Sequence, residues 1–182
     1  MVRVLGIDLS LTSTGLVSLP GDWVSEAGLD WSGVRFHRLG QGLRKSAAER
    51  ERVGRLEVLS KGIVDVARAW EVSHVVLEEY AFSAQPAQAR AVAELGGVVK
   101  WRLQQIGLSL RVVSPASARK TLLGKLPRKD AKLAVQLRCA QLGVPWKDVK
   151  VSHGYGDICD AFVVANHHLA ELVPGCCVME AA

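Results

Sequence analysis

The chain has 182 residues, with 23 Lys and Arg against 18 Asp and Glu and a formal net charge of +5. Apolar residues make up 49% and charged residues 23%, which excludes a disordered chain, and no run reaches the roughly 18 uninterrupted apolar residues of a membrane span. A chain of this length predicts one domain over residues 1–182, with a peripheral tail from about residue 174.

Residues 2–8 are short, apolar and β-branched, and read as a buried strand. The run is too short for a secretory leader and Asp8 interrupts it, so a cytoplasmic location with four reduced thiols (Cys139, Cys159, Cys176 and Cys177) is expected. No C-x-x-C pair occurs, which argues against structural zinc. A Ser/Thr-rich loop leads to a second strand at 15–19, stopped by Pro20-Gly21, and residues 33–39 alternate as a half-buried third strand. Ser46 with Glu49 forms a capping-box pattern ahead of a helix with Leu56, Leu59, Ile63, Val66 and Trp70 at helical spacing. A fourth strand at 74–78, a helix at 87–106 and a fifth strand at 108–113 follow, then helices at 117–123, 129–142 and 157–172. An antiparallel meander followed by βαβ units predicts an α/β fold: a mixed five-stranded sheet with helices on both faces.

Charge is unevenly distributed. Residues 100–150 hold twelve basic residues against two acids, a net of +10, while the rest of the chain carries a net of −5. Such a block suits either a polyanionic partner, above all nucleic acid, or a solvated basic face. Arg119, Lys120, Lys125, Arg128, Lys129 and Lys132 fall within fourteen residues around a Gly-Lys-Leu-Pro loop and are candidate phosphate contacts.

Acids fall where ligands gather in an open α/β sheet, outside the carboxyl ends of strands: Asp8 ends the first strand and Glu78 the fourth. Asp157 and Asp160 lie three apart at the start of the last helix, on one face. Asp157 alone also reads as a capping acid, favoured there by the helix dipole. Four clustered carboxylates repel unless a cation joins them, and oxygen-only ligands suit Mg²⁺, with Mn²⁺ able to substitute. Two such ions per site would suit in-line displacement at a phosphodiester, and the basic block would hold the backbone beside them. His153, four residues before Asp157, is a candidate general base or a solvated loop residue. Glu79 points away from Glu78 on a strand and is at most a supporting group. Tyr80 and Phe82, in the loop after Glu78, could stack on an unpaired base or pack in the loop.

Gly6-Ile7-Asp8 with Thr14-Gly15, Leu77-Glu78-Glu79, and Gly156-Asp157-Ile158-Cys159-Asp160-Ala161 together resemble the RuvC family of Holliday-junction resolvases. The segment Ala118-Arg119-Lys120-Thr121-Leu122-Leu123-Gly124 with Lys129 resembles that family's basic linker, and the likeness spans about residues 2–172. Where the family follows its first Asp with Pro-Gly, this chain has Leu9-Ser10. The resemblance implies a ribonuclease-H-like fold, catalytic and metal-binding roles for Asp8, Glu78, Asp157 and Asp160, a homodimer, and a branched-DNA substrate cut by paired symmetric nicks. The helix at 87–106 is the expected dimer surface, with packing wholly on its own sheet as the alternative: Ala89, Ala91, Ala93, Gly96 and Gly97 allow close approach, and Val92, Leu95, Val99 and Leu103 supply apolar area. An alternative is another nuclease of the same fold acting on single strands, hybrids or precursor RNA. The opening also resembles the phosphate loop of actin-like ATPases, but two such domains are needed to enclose a nucleotide, so no nucleotide cofactor is expected.

Overall fold

The computed structural model describes residues 1–41, 49–79, 86–150 and 154–178. Its strands are β1 (Arg3–Asp8), β2 (Thr14–Pro20), β3 (Val24–Ser25), β4 (Gly28–Leu29), β5 (Arg35–Leu39), β6 (His74–Glu78) and β7 (Ser109–Val113), and its helices are α1 (Glu49–Ala69), α2 (Pro86–Gln105), α3 (Pro115–Leu123), α4 (Ala131–Gln141) and α5 (Tyr155–Leu172). The main sheet has the order β5-β2-β1-β6-β7. The predicted meander is present, with β5, β2 and β1 antiparallel, and β6 and β7 extend the sheet in parallel from β1. A small hairpin, β3 with β4, interrupts the meander between Pro20 and Arg35. Among the described residues no helix is long and apolar enough to cross a membrane.

Side chains alternate across each strand, so the sheet has two different faces. Leu5, Ile7, Leu16, Val75 and Leu77 point to one face and pack under α1 and α2 with Leu59, Ile63, Leu95, Val99 and Leu103. Val4, Val17, Leu19 and Val76 point to the other, beneath α5 with Phe162, Ala161, Ala165 and an aromatic group of Trp23, Trp31 and Trp146. By the same alternation Asp8 follows Val4 and Gly6 onto the α5 face, and Glu78 follows Val76.

Two glycines set how close α5 comes. A Cβ on Gly6 would collide with the Ala161 carbonyl and come within 2.8 Å of Ala165 Cβ, and one on Gly15 would collide with the backbone of Asp157. The first two turns of α5 therefore rest directly on β1 and β2. The carboxylates of that helix are thereby delivered to the strand ends.

Two expectations are corrected. The chain beyond residue 174 is not peripheral as far as Val178. The amide of fully buried Asn166 on α5 both donates to the Val178 carbonyl and accepts from its N–H, each at 2.9 Å, and Trp23 Nε1 donates to the Cys176 carbonyl at 3.1 Å. Leu95, Val99 and Leu103 of α2 are fully buried in their own subunit's core, with Val92 packed against them, so they offer no area to a partner. The outward stripe of α2 is Ala93, Gly97 and Trp101, the last 59% exposed. Ser46, the expected cap, lies outside the described residues.

Candidate active site

β1 and β6 run parallel with Ile7 opposite Leu77, so the next residues, Asp8 and Glu78, stand side by side at the carboxyl ends of the two central strands. Asp157 lies in the first turn of α5 and Asp160 one turn further, on the side that faces the sheet. Burial pushes the Asp8 carboxyl well above the usual carboxylate range, and the charges of Glu78, Asp160 and Asp157 push it further. Burial, then Asp160, also raises Glu78, while Arg119 and Lys132 pull it back. The four predicted acids are thus brought within electrostatic reach of one another.

The loop between β1 and β2 is closed by Thr14, whose hydroxyl donates to the Ser10 carbonyl at 2.7 Å and accepts from the Ser10 N–H at 3.2 Å. That closure holds Ser13 where its hydroxyl donates to Asp157 Oδ2. Sequence reasoning misses Ser13. The Thr14-Gly15 pair that follows it is part of the family resemblance, and the loop that pair closes is the one signal pointing to Ser13.

Two of the six predicted phosphate contacts reach the carboxylates: Arg119 is turned inward, and Lys132, with 70% of its side chain exposed, touches the cluster through its ammonium. Arg119 on α3 places Nη2 at 3.1 Å from Asp160 Oδ1 and 3.7 Å from Glu78 Oε1. Lys132 on α4 reaches Asp160 Oδ2 at 3.1 Å, and that carboxylate raises the Lys132 pKa above the usual lysine value. These two side chains neutralise the buried Asp160 carboxylate, as a buried charge requires. Lys120, Lys125, Arg128 and Lys129 are exposed along the end of α3 and the loop into α4. Glu79 is also exposed and points out of the cluster, its backbone N–H donating to the Val113 carbonyl at 2.7 Å. His153, Tyr80 and Phe82 lie outside the described residues.

The all-oxygen donor set of Asp8, Glu78, Asp157 and Asp160 has the chemistry of a Mg²⁺ or Mn²⁺ site. Among the described residues, however, no group of three or more His, Cys, Asp or Glu side chains is arranged to hold a metal ion as it stands. Both oxygens of Asp160 are engaged by Arg119 and Lys132.

A mixed sheet of this order, with strand-end carboxylates and a C-terminal helix lying across its centre, defines the ribonuclease-H-like α/β fold. Among solved structures the chain is similar to Thermus thermophilus RuvC in complex with a Holliday junction substrate, at 17% identity over 96% of this chain and 97% of that one, with a TM-score of 0.66. It is similar to Thermus thermophilus RuvC by itself at 22% identity over 93% and 95%, TM-score 0.65. A third similar structure is the yeast mitochondrial Holliday junction resolvase Ydc2, at 15% identity over 92% and 78%, TM-score 0.63. The fold is therefore RuvC-like. No family model matches the sequence, and no curated protein matches it.

Proposed function

We propose that the protein is a metal-dependent endonuclease that resolves four-way DNA junctions by paired symmetric nicks. The observation that carries this reading is the convergence of Asp8, Glu78, Asp157 and Asp160 at the strand ends of a RuvC-like fold, beside the exposed cations of residues 120–129. Asp8, Glu78, Asp157 and Asp160 would hold two divalent ions once Asp160 exchanges its Arg119 and Lys132 contacts. When bound, Mg²⁺ or Mn²⁺ supplies an activated water and neutralises charge on the phosphodiester. Ser13 orients Asp157, and Arg119 and Lys132 are left free to meet phosphate oxygens when released from Asp160. Lys120, Lys125, Arg128 and Lys129 add sequence-independent attraction for the backbone.

A junction presents two equivalent strands, which a symmetric homodimer would engage with two sites. The outward stripe of α2 centred on Trp101 is the surface proposed for that dimer, and sedimentation of Trp101→Arg tests it: a dimer unchanged at micromolar concentration removes α2 from the interface. The activity is tested by incubating a synthetic four-way junction, a nicked duplex, an RNA–DNA hybrid and single strands with Mg²⁺, beside Asp8→Asn. Symmetric nicks confined to the junction and absent from Asp8→Asn support the reading. Preferential cleavage of the hybrid or of single strands replaces it with the other nuclease class.

A further inference from the structure

The strand register places one more charged residue in line with the carboxylates. Asp8 pairs with Gly15, and Gly15 pairs with Arg38 on β5. Paired residues share a face, so Arg38, Gly15 and Asp8 form one row across the sheet, all directed to the α5 side. Gly15 has no side chain and carries the backbone of Asp157 instead. Arg38 is therefore the next side chain in the row, about 10 Å from Asp8 at two strand spacings. The position is close to Asp157: Arg38 Nη1 and Asp157 Oδ2 lie 2.8 Å and 2.9 Å from the same point, the place where a Cβ on Gly154 would stand.

Among the described residues no ion pair or side-chain hydrogen bond engages the Arg38 guanidinium. Its Nε is buried and has no hydrogen-bond partner among the described residues. Arg38 lines an open groove of ≈ 490 Å³, within the range of small-ligand sites. The groove is also lined by Phe36 and Ile158, which are apolar, and by Gln41, Lys150 and Asp148. Phe36 sits two residues before Arg38 and so shares its face, and Ile158 follows Asp157 on α5. The groove thus joins an apolar wall, an amide, two cations and one acid, Asp148, to the edge of the carboxylate cluster.

We propose that this groove holds the nucleotide flanking the scissile phosphate, with Arg38 and Lys150 on its phosphate and its base against the partly exposed face of Phe36. This rests on the nuclease reading above and deepens it, since it assigns the path of the cleaved strand: out of the carboxylate cluster towards the β5 edge of the sheet. Guanidinium matches phosphate as a planar two-pronged donor, which its terminal nitrogens can supply. Arg38 acts here as a positioning residue, fixing the strand beside the carboxylates without touching the reacting atoms.

The test pairs protein and substrate changes. Junctions carrying one neutral methylphosphonate, scanned over the phosphates on both sides of the cut, are assayed for cleavage with wild-type protein and with Arg38→Ala, and for binding in the Asp8→Asn background. Arg38→Ala and a neutral phosphate one or two steps from the cut should each lower the cleavage rate about 10- to 100-fold, the worth of one charge-assisted contact. Together they should lower it no more than either alone, and Arg38→Lys should restore part of the loss. A misfolded variant shows instead as a uniform loss at every phosphate, and circular dichroism identifies it; Lys150→Ala, on an exposed side chain, then carries the same cycle. Additive losses at every phosphate for both variants overturn the proposal. If the protein binds DNA but leaves junctions uncut, the function fails on its own, and the binding arm still decides the groove. No DNA binding by any variant overturns both.

Discussion

The two faces of the sheet solve different problems. Beneath α1 and α2 the buried layer is mainly aliphatic, with Leu5, Ile7, Leu59, Ile63, Leu95, Val99 and Leu103 continuous and Ser18, Ser60 and Arg55 the buried polar groups. Beneath α5 the layer mixes aromatic rings with buried polar groups: Asp160, Asn166 and His168 are all on that helix and all buried. One face is held by aliphatic burial with a few hydroxyls and Arg55, whereas the other must hold carboxylates that repel each other and still stay folded. The second face manages it with Arg119 and Lys132 on Asp160, and with the Asn166 clamp on Val178. Stability and chemistry are thus segregated to opposite sides of five strands, so a substitution's effect follows from which side it falls on.

The sharpest way to break that division is at Asp8. Asp8→Asn removes a charge but little volume, and cleavage should fall about a thousandfold or more, the several kcal/mol that metal-assisted charge stabilisation supplies. Junction binding should survive. On the opposite face, Leu103→Ala should cost about 2–5 kcal/mol of stability by leaving a cavity. The folded fraction, measured by titrating active sites, should cleave at the wild-type rate. Gly15→Val joins the two effects: its side chain would meet the Asp157 backbone, costing about 3 kcal/mol or more and displacing a carboxylate. If Leu103→Ala halves the rate per folded molecule, or Gly15→Val spares it, the division does not hold.

Legibility in the sequence followed the same division. Asp8 and Glu78 were readable because an acid at the end of an apolar run has no packing reason to be there, and Asp157 and Asp160 because three-residue spacing fixes a helical face. The contacts of Arg119 and Lys132 with Asp160 were not readable: they depend on α3 packing against α5 and on the loop at 124–130 bringing α4 over it, and a charge block looks the same whether solvated or paired. Arg38 was hidden because its place in the Asp8 row exists only once β5 pairs with β2 in a particular register. The α2 error has a simpler cause. Leu95, Val99 and Leu103 form one stripe and Ala93, Gly97 and Trp101 another, and small residues drew attention to the helix without deciding which stripe the sheet would take. The Asn166 clamp joins residues twelve apart through the backbone of the tail, which no side-chain pattern encodes.

A smaller effect sharpens the comparison through pH. Asp8 and Glu78 have carboxyl pKa values raised in the folded protein above the ordinary 3.8 and 4.5. The folded state therefore binds these protons more tightly than the unfolded chain. The associated stability is fully present below about pH 4 and is lost as pH rises through the raised values. In metal-free buffer, Asp8→Asn should therefore match wild type in Tm near pH 3.5 and exceed it increasingly towards pH 8. Each tenfold excess in proton affinity that the variant removes is worth about 1.4 kcal/mol, or roughly 3–5 °C for a chain of this size. Glu171 on α5 has the opposite sign. Its hydrogen bond from His168 holds its pKa below the ordinary 4.5, so its contribution is present above that value and fades as pH falls. An Asp8→Asn advantage equally large at pH 3.5 and pH 8 would show that charge is not its source.

The smallest predicted effect separates the two kinds of cation on the α5 side. Lys125 and Arg128 are exposed and act only through the field they add, so Ala at either should weaken junction binding by the same factor for every sequence. Each should reduce the slope of log K against log salt by about 0.9. Lys132 is also exposed, and it differs only in that its ammonium is already bound to Asp160 in the free protein. Moving it to a phosphate exchanges one counter-charge for another, so Lys132→Ala should change the salt slope of binding by less than Lys125→Ala does. It should also leave Asp160 with Arg119 alone, lowering stability at neutral pH while the Lys125 variant melts as wild type. Equal slopes for the two lysine variants, with equal Tm, would place Lys132 among the solvated cations and leave Asp160 without the second partner that its burial demands.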